Sequence, residues 1–442
     1  MDPLARALAD GPDGGGGAER TQLLLELLGR PDTASPGIAV LGSHGKTSVA
    51  TMLSCLLGAL GLTAGTLTAP HLQDARERIR VATEPISTED LAVRTTELDP
   101  FLEEVDARHD APLTVDETVA ALAVMHFADA PVDVAVLEVL AGRATAASVA
   151  RAETAVLTPL SGPGEAEVAE EARRWTALVG DGAVLVSAAQ HPAATPVVEA
   201  LAAQRGAHLV VVGAGEAAEA EIGEPGTPGT AAGVRRRALA VGGQQLDLGG
   251  VTGEVGEVYL PLHGAHQARN AATALVALEG FLGFAGGLDA EVLREGFAAV
   301  RLPGRLEVVR RPDDASVLLD LAADGVAGRA LAEALTEEFA ARHRVLVLGA
   351  TDEGDAAGLL AALDETVDHL VLCPPDSPRA VDVDALAAEA TRPGGPRPEL
   401  ASDLPAALER ASGIASEEDV VVVAGSAAIV GEARTALGLP VA

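Results

Sequence analysis

A glycine-punctuated turn, set between an apolar run and a helical pattern, carries the residues of this sequence best suited to chemistry. Residues 38–48 read Ile-Ala-Val-Leu-Gly-Ser-His-Gly-Lys-Thr-Ser. Glycines let backbone N–H groups close around phosphate oxygens, and the following helix N-terminus adds a partial positive charge. Lys46 would supply a point charge to the outer phosphates, and the hydroxyl of Thr47 or Ser48 would hold Mg²⁺. The pattern predicts an ATP site made of Gly42, Ser43, His44, Gly45, Lys46, Thr47 and Ser48.

Lys46 is the only lysine in a chain of 442 residues, although lysine and arginine together number 31. All the remaining positions of these two types are arginine. Lysine is kept only at position 46, where a guanidinium would be a poor replacement for a compact ammonium. The longer phosphate-loop motif is not met, because Val40 stands where its first glycine belongs; the shorter Gly-x-x-Gly-Lys-Thr form is met. The open alternative is a chance Gly-Lys-Thr triplet, and the apolar run before it and the helical pattern after it argue against chance.

Composition bounds the class of protein. Hydrophobic residues make up 48% of the chain and aromatic residues 2%, so the core must be built from Ala, Val and Leu. A net charge of −34 disfavours nucleic acid and anionic membrane surfaces as partners. Cys55 and Cys373 lie far apart in apolar runs, which suits a reducing compartment. With no signal-peptide pattern at residues 1–6 and no run of about 18 apolar residues, the sequence predicts a cytoplasmic protein without a membrane span.

Short apolar strands alternate with helical stretches, which predicts an α/β fold with doubly wound, mostly parallel sheets. We expect a flexible lead-in at residues 1–20, an ATP-binding domain at 21–302 with a β-rich insertion at about 213–256, and a smaller Rossmann-like domain at 303–442. The predicted strands are 37–41, 132–139, 155–157, 183–186, 208–212, 316–319, 344–348, 369–372 and 419–423. The predicted helices include 21–28, 46–60, 115–127 and 266–282.

The loop resembles that of the Mur ligases, and the surrounding sequence is most similar to their relatives, the folylpolyglutamate and dihydrofolate synthases. The matching segments follow one another in the family's order from residue 21 onward. They are Thr-Ala-Pro-His-Leu at 68–72, Glu-Arg-Ile-Arg at 77–80, Glu-Pro-Ile-Ser at 84–87, the strand ending at Glu138, Gly-Ala-His-Gln-Ala-Arg-Asn at 264–270, Leu-Pro-Gly-Arg-Leu-Glu at 302–307, and the segments 375–380 and 423–432.

This resemblance implies an ATP-dependent carboxylate–amine ligase of the P-loop, Mur-ligase type. In such enzymes ATP converts a substrate carboxylate into an acyl phosphate, which the amine of an amino acid then attacks. The implied cofactors are ATP and Mg²⁺, with ATP bound between the two domains. The implied substrates are a small carboxylate, for which a folate-type acid is the candidate, and an amino acid such as glutamate. The protein would act as a monomer or with an unknown partner protein.

The resemblance also assigns residues beyond the loop. Glu138 is the expected magnesium ligand and, with Lys46, the expected catalytic residue; the alternative is a solvated carboxylate at the rim of the sheet. The residues implied at the nucleotide are His266, Asn270, Arg305 and Asp320. The residues implied at the substrate are His71, Arg78 and Arg80. For the last two, which we expect to alternate on one strand-like face, surface pairing with Glu77 or Glu84 is the alternative.

Several of the family's metal and amino-acid residues are missing. Residues 158–164 read Thr-Pro-Leu-Ser-Gly-Pro-Gly and lack the family's Asp-His pair. Trp175, which we interpret as a packing residue, stands where a carbamylated lysine is expected. Ala323 replaces a histidine, and Thr145 lies near the place of a missing aspartate. Two hypotheses remain: an active ligase with an altered substrate pocket, or a catalytically silent ATP-binding paralogue that regulates or scaffolds a partner.

Overall fold

The computed structural model describes residues 18–109, 113–139, 152–213, 232–312, 314–390 and 398–441. Contacts divide the chain into two compact units. The amino-terminal unit comprises Met1–Ala69, Ala75–Pro261 and Gln267–Val300, and the carboxy-terminal unit comprises Pro70–Asp74, Leu262–His266 and Arg301–Ala442. Among the described helices, none combines the length and the apolar composition that a membrane crossing requires.

An eight-stranded sheet forms the centre of the amino-terminal unit. Its strands are β1 Gly37–Leu41, β2 Ala64–Leu67, β3 Ile79–Val81, β4 Glu84–Pro85, β5 Val134–Glu138, β6 Thr154–Leu157, β7 Val184–Ala188 and β8 His208–Val212. They are ordered β4-β3-β2-β5-β1-β6-β7-β8. Every pairing is parallel except β2 with β3 and β3 with β4. The predicted doubly wound, mostly parallel fold is confirmed.

Helices cover both faces of this sheet. They are α1 Ala18–Leu27, α2 Lys46–Ala59, α3 Thr88–Arg108, α4 Val115–Asp129, α5 Glu165–Thr176, α6 Thr195–Gln204, α7 Ala265–Phe281 and α8 Ala290–Ala298. Apolar clusters lie between helices and sheet; one joins α3 and α4 to β2 and β5, and another joins α5 to β1 and β6. Because the central strands β1, β2, β5, β6 and β7 are short and almost wholly buried, their pattern is that of parallel strands covered on both sides, whereas β3, β4 and β8 toward the edges are partly exposed.

The strand order brings three carboxyl ends together. β1 pairs with β5 on one side and with β6 on the other, Ile38 lying opposite Val136 and Thr154. The chain therefore leaves β1 into its glycine-containing turn between the end of β5 and the end of β6. In open α/β sheets ligands bind at the carboxyl ends of the strands where the strand order reverses.

A three-stranded antiparallel sheet follows in the amino-terminal unit, where β-hairpins are predicted. Its strands are β9 Gly233–Ala240, β10 Gly243–Gly249 and β11 Glu254–Leu260, in the order β11-β10-β9. Residues 214–231 of the predicted insertion lie outside the described residues. The basic run at 235–237 pairs locally, Arg235 with Glu254 and Arg236 with Asp247.

The carboxy-terminal unit contains a six-stranded sheet in the order β12-β13-β17-β14-β15-β16. Its strands are β12 Arg305–Val309, β13 Ser316–Asp320, β14 Arg344–Gly349, β15 His369–Leu372, β16 Glu399–Leu400 and β17 Val420–Gly425. Its helices are α9 Gly325–Glu337, α10 Glu353–Leu363, α11 Val383–Ala390, α12 Leu404–Ile414 and α13 Ala427–Ala436. Only β12 runs antiparallel to its neighbour, and apolar clusters cover both faces.

The first helix begins earlier than the sequence predicts. α1 starts at Ala18, inside the predicted lead-in, and residues 1–17 lie outside the described residues. Arg20 is buried and its Nη2 lies 3.2 Å from Glu117 Oε2. Glu117 also accepts the backbone N–H of Thr114 at 2.6 Å in a capping box at the start of α4. This distant partner orders the end of the segment that local composition marks as flexible.

The segment Pro70–Asp74 packs inside the carboxy-terminal unit. Arg434 Nε donates to Gln73 Oε1 at 2.9 Å, and Gln73 Nε2 donates to the carbonyl of Leu439 at 3.4 Å. Gly431 in α13 lies directly against this segment, because a Cβ placed there would overlap the carbonyl oxygen of Leu72. The segment is therefore held by both side-chain hydrogen bonds and close backbone packing.

Replacing Gly431 by alanine is expected to lower stability by about 1–3 kcal/mol, because the added methyl must displace the backbone at Leu72. Gly413→Ala in α12 is the matched control, since a Cβ there meets nothing within 4 Å. Removing a helical glycine should stabilise that variant by about 0.5–1 kcal/mol. Thermal and urea unfolding measure both; equal shifts in the same direction would contradict the packing described.

Candidate functional site

In the loop between β1 and α2, two glycines adopt backbone conformations with positive φ. Gly42 has φ 123° and Gly45 has φ 86°, a region that favours glycine. A Cβ at Gly42 would overlap Thr158 Oγ1, and a Cβ at Gly45 would lie 2.6 Å from Asn270 Oδ1. Both glycines are therefore required by conformation and by space. The first N–H groups of α2, which have no partner within the helix, are available to an anion.

Lys46 is the first residue of α2 and its side chain folds back over the loop. Its Nζ donates to the carbonyl oxygen of Gly42 at 2.8 Å and to that of Ser43 at 3.3 Å. The ammonium is thus held beside the turn that the sequence predicts to bind phosphate. This placement suits a point charge for the outer phosphates of a nucleotide.

Thr47 and Glu138 form a hydroxyl–carboxylate pair beside the loop. Thr47 Oγ1 donates to Glu138 Oε2 at 2.9 Å, and the N–H of Ala69 donates to the same oxygen at 3.1 Å. Glu138 ends β5 and is 4% exposed, so it is not a solvated rim carboxylate. The other candidate hydroxyl, Ser48 Oγ, is buried without a hydrogen-bond partner in the described part of the chain.

This pair fits Mg²⁺ as it is bound beside nucleotides. The described residues contain no cluster of three or more His, Cys, Asp or Glu side chains that could hold a metal. Mg²⁺ needs no such cluster, since it is usually bound by one or two carboxylates together with phosphate oxygens and waters. The donor set at Thr47 and Glu138 is hard oxygen throughout, and it lies next to the loop that would hold the phosphates.

The segment after β6, where the family's Asp-His pair is absent, braces the loop instead. Pro159 accepts hydrogen bonds through its carbonyl from the backbone N–H groups of Ser43 and His44, at 3.2 and 3.1 Å. His44 Nε2 and Ser161 Oγ are hydrogen-bonded at 2.8 Å. Gln190, after β7, accepts the N–H of Leu160 at 3.0 Å. Ser161 and Gln190 were not predicted, although both follow strands that end beside the loop.

Trp175, near the end of α5, is 2% exposed and packs in the cluster between α5 and the sheet. The interpretation as a packing residue is confirmed. The side chain also makes two polar contacts. Its Nε1 donates to Glu171 Oε2 at 2.9 Å, and the centroid of its ring lies 5.5 Å from Lys46 Nζ.

Asn270 is the other predicted nucleotide residue that the structure brings to the loop. It lies in α7, is 6% exposed, and donates through Nδ2 to Gln267 Oε1 at 3.1 Å. Its amide oxygen fills the space beside Gly45. His266 lies in the first turn of the same helix. It is the last residue of the segment Leu262–His266, which is assigned to the carboxy-terminal unit.

The predicted substrate arginines do not alternate on one strand face. Arg78 ends a 3₁₀ turn, Ala75–Arg78, and only Arg80 lies in β3. Arg78 Nη2 forms a buried ion pair with Asp116 Oδ1 at 2.7 Å, which neither predicted pairing anticipated. Arg80 donates to the backbone carbonyls of Glu77 and Thr83. His71, the third predicted substrate residue, lies in the segment assigned to the carboxy-terminal unit.

Arg305 and Asp320 are opposite each other on β12 and β13 of the carboxy-terminal unit. Asp320 accepts the N–H of Leu306 at 2.8 Å and that of Ala322 at 2.9 Å. Burial raises the pKa of Asp320 to about 6, against the lowering effect of these two hydrogen bonds. The carboxylate therefore fixes the backbone at Leu306, directly after Arg305, and at Ala322, shortly after Asp320 itself. Thr145 lies outside the described residues.

Comparison with known proteins agrees with this geometry. Residues 304–427 match the family described as "Mur ligase, glutamate ligase domain". The dihydrofolate synthase/folylpolyglutamate synthase of Mycobacterium tuberculosis is 37% identical over 95% of this chain and 89% of its own length. The chain belongs to the folylpolyglutamate synthase family. A probable bifunctional folylpolyglutamate synthase/dihydropteroate synthase of Haloferax volcanii is 34% identical over 95% of this chain, which spans 48% of that protein.

The fold of this folylpolyglutamate synthase family member is also similar to those of solved structures. M. tuberculosis folylpolyglutamate synthase complexed with ADP superposes with a TM-score of 0.86 at 35% identity, covering 96% of this chain and 95% of that one. The bifunctional enzyme of Yersinia pestis complexed with AMPPNP and Mn ion gives 0.79 at 25%, covering 99% and 97%. The predicted family and enzyme class, an ATP-dependent acid–amino-acid ligase, are confirmed. These relatives give no support to a catalytically silent paralogue.

Replacing Gly42 by alanine is expected to weaken ATP·Mg²⁺ binding at least tenfold, since the φ of 123° is strained for alanine and the methyl overlaps Thr158 Oγ1. Gly58→Ala in α2 is the control, because a Cβ there meets nothing within 4 Å. Isothermal titration with ATP·Mg²⁺ compares them. Unchanged affinity in the Gly42 variant would contradict the phosphate-loop assignment.

Proposed function

We propose that this chain joins glutamate, through its amino group, to a folate-type carboxylate by way of an acyl phosphate, using ATP and Mg²⁺. The observation that carries the proposal is the pair Thr47 and Glu138, with oxygens 2.9 Å apart beside a glycine loop that holds Lys46. A loop, a cation and a hydroxyl–carboxylate pair together are the parts that phosphoryl transfer requires.

The proposed roles follow from these positions. Backbone N–H groups of the loop and of the first turn of α2 orient the phosphates, and Lys46 offsets the charge on the outer ones. Thr47 and Glu138 hold Mg²⁺, which when bound offsets the charge that develops during transfer to the substrate carboxylate. We also propose that Asn270 and His266 contact the nucleotide and that Arg305, backed by Asp320, meets its phosphates.

The substrate side is proposed from the relatives. The names of the M. tuberculosis and H. volcanii proteins specify folylpolyglutamate synthesis, which supports a folate-type acid and glutamate as substrates. His71, Arg78 and Arg80 are the residues we assign to that side. Because Arg78 is buried and engaged by Asp116, we propose that it shapes the pocket, while the half-buried Arg80 provides the cation nearer solvent.

A turnover assay tests the proposal. Purified protein with ATP and Mg²⁺ should release phosphate only when both a reduced folate and glutamate are present, and mass spectrometry should show the acid extended by one glutamate. A panel of other carboxylic acids and amino acids then tests whether the substrate pocket is altered. ATP binding without turnover on the whole panel would contradict ligase activity and revive the silent paralogue.

We further propose a cytoplasmic, monomeric enzyme. Both cysteines, Cys55 and Cys373, are buried, and burial raises the pKa of the Cys373 thiol to about 12. Such thiols are unreactive packing residues, which suits a reducing compartment. Size-exclusion chromatography with light scattering, at micromolar concentration with and without ATP, tests the monomer; a stable dimer would contradict it.

A further inference from the structure

The only tryptophan and the only lysine of this chain lie side by side. The ring centroid of Trp175 is 5.5 Å from Lys46 Nζ, within the range of a cation–π contact. They are far apart in sequence, Lys46 opening α2 and Trp175 near the end of α5. This contact plays no part in the proposed chemistry, so it raises the question of what a buried indole does beside the phosphate loop.

We propose that Trp175 is a positioning residue for Lys46: its ring holds the ammonium at the phosphate loop before nucleotide arrives. The inference rests on the proposed ATP binding and adds a residue to it. Loss of the ring weakens nucleotide binding through the lysine, and the emission of Trp175 responds to the charge on Lys46.

The geometry of the ring supports this role. Trp175 is 2% exposed, so its face is shielded from water, and the indole is the aromatic group that attracts cations most strongly. The hydrogen bond from its Nε1 to Glu171 Oε2, at 2.9 Å, restrains the rotation of the indole about the Cβ–Cγ bond. A ring held on two sides, by packing and by this bond, presents its face in one orientation.

The surroundings of the ammonium are complementary. Its N–H groups donate to the carbonyls of Gly42 and Ser43, and the ring lies within reach on another side. A lysine side chain has many rotamers, and holding it in one of them costs conformational entropy. If the side chain is already ordered before the ligand binds, this entropy is not lost in the binding step. A tryptophan that served packing alone would have no reason to affect nucleotide affinity through Lys46.

A double-mutant cycle on unfolding, without nucleotide, tests the contact directly. Wild type, Trp175→Leu, Lys46→Met and the double variant are unfolded in urea. We expect the coupling between the two sites to change the unfolding equilibrium constant by about 3- to 30-fold, the range of a cation–π contact. Additive effects, with no coupling, would overturn the proposal. Since ATP is absent, the result does not depend on the proposed function.

Nucleotide titrations test the consequence for binding. Trp175→Leu should weaken ATP·Mg²⁺ binding about 3- to 30-fold, and Trp175→Phe, which keeps an aromatic face but loses the bond to Glu171, should recover part of that loss. Glu171→Gln should have a smaller effect than Trp175→Leu. Equal losses in the leucine and phenylalanine variants would overturn the role of the ring face. If the wild-type protein fails to bind ATP, the proposed function is contradicted. The double-mutant cycle on unfolding then still tests the contact between Trp175 and Lys46.

Tryptophan emission gives a readout that needs no tryptophan variant. In ligand-free protein, Lys46→Met should change the intensity and emission maximum of Trp175, because a charge beside the ring is removed. Arg173→Met is the matched control, since that cation lies on α5 two residues away but is exposed and paired with Glu170. Identical spectra for wild type and Lys46→Met, or equal changes in the control, would overturn the proposal.

Discussion

Replacing Lys46 by methionine is expected to lower ligase turnover by about 10²- to 10³-fold and to weaken ATP·Mg²⁺ binding at least tenfold. Removing one preorganised group that faces the charge developing during phosphoryl transfer raises the activation free energy by about 3–4 kcal/mol. Methionine keeps the length of the side chain and loses the charge. No other lysine exists to compensate, because this one is unique in the chain.

Lys46→Arg is the informative control for that result. It keeps the charge but replaces a compact ammonium with a planar fork, in a loop where the ammonium donates to the Gly42 and Ser43 carbonyls. We expect arginine to restore little turnover. Initial rates of phosphate release and titration calorimetry measure the two effects, and circular dichroism checks the fold. Wild-type affinity and rate in the methionine variant would remove Lys46 from the site.

Replacing Glu138 by glutamine is expected to lower turnover by about 10²- to 10³-fold, with a smaller loss of nucleotide binding. The variant keeps the size of the side chain but loses the charged oxygen that accepts from Thr47 and lies ready for Mg²⁺. Its activity should need a higher Mg²⁺ concentration. Rates measured over a range of Mg²⁺ concentrations at saturating ATP give the shift directly.

Glu279→Gln is the matched control for Glu138. Glu279 in α7 is also 4% exposed and also accepts backbone N–H groups, from Val251 at 2.7 Å and from Thr252 at 3.0 Å. Glutamine there should cost stability, as at any buried carboxylate that pairs backbone amides, but leave the Mg²⁺ dependence unchanged. Equal Mg²⁺ dependence in both variants would contradict the assignment of Glu138 as the metal ligand.

Where local pattern decides the structure, the sequence predicts it closely. The strands at 37–41, 208–212 and 369–372 have the predicted bounds, and the other predicted strands agree within two residues at each end. The helix that starts at Lys46 follows directly after Gly45, the last glycine of the turn. Short apolar runs bounded by glycine or polar turns carry their own signal, because burial of the run and the conformation of the turn depend on neighbouring residues.

Elements with weak local signals escaped prediction. α3, Thr88–Arg108, is 21 residues long yet contains Pro100 and many acidic residues, and it was not predicted. β2, Ala64–Leu67, reads Ala-Gly-Thr-Leu and has little β-propensity, but pairing with β3 and β5 makes it a central strand. In both cases packing against distant elements overrides what the segment itself prefers.

The sequence by itself determined the ATP loop, its single lysine, the family and the alternating α/β fold. Tertiary structure alone decided the partners: Thr47 with Glu138, Arg78 with Asp116, and Lys46 with Trp175. Thr47 and Glu138 are 91 positions apart in the chain and meet because β1 lies beside β5. Strand order is set by the packing of the whole sheet, so no local pattern of residues can specify which side chains meet at its edge.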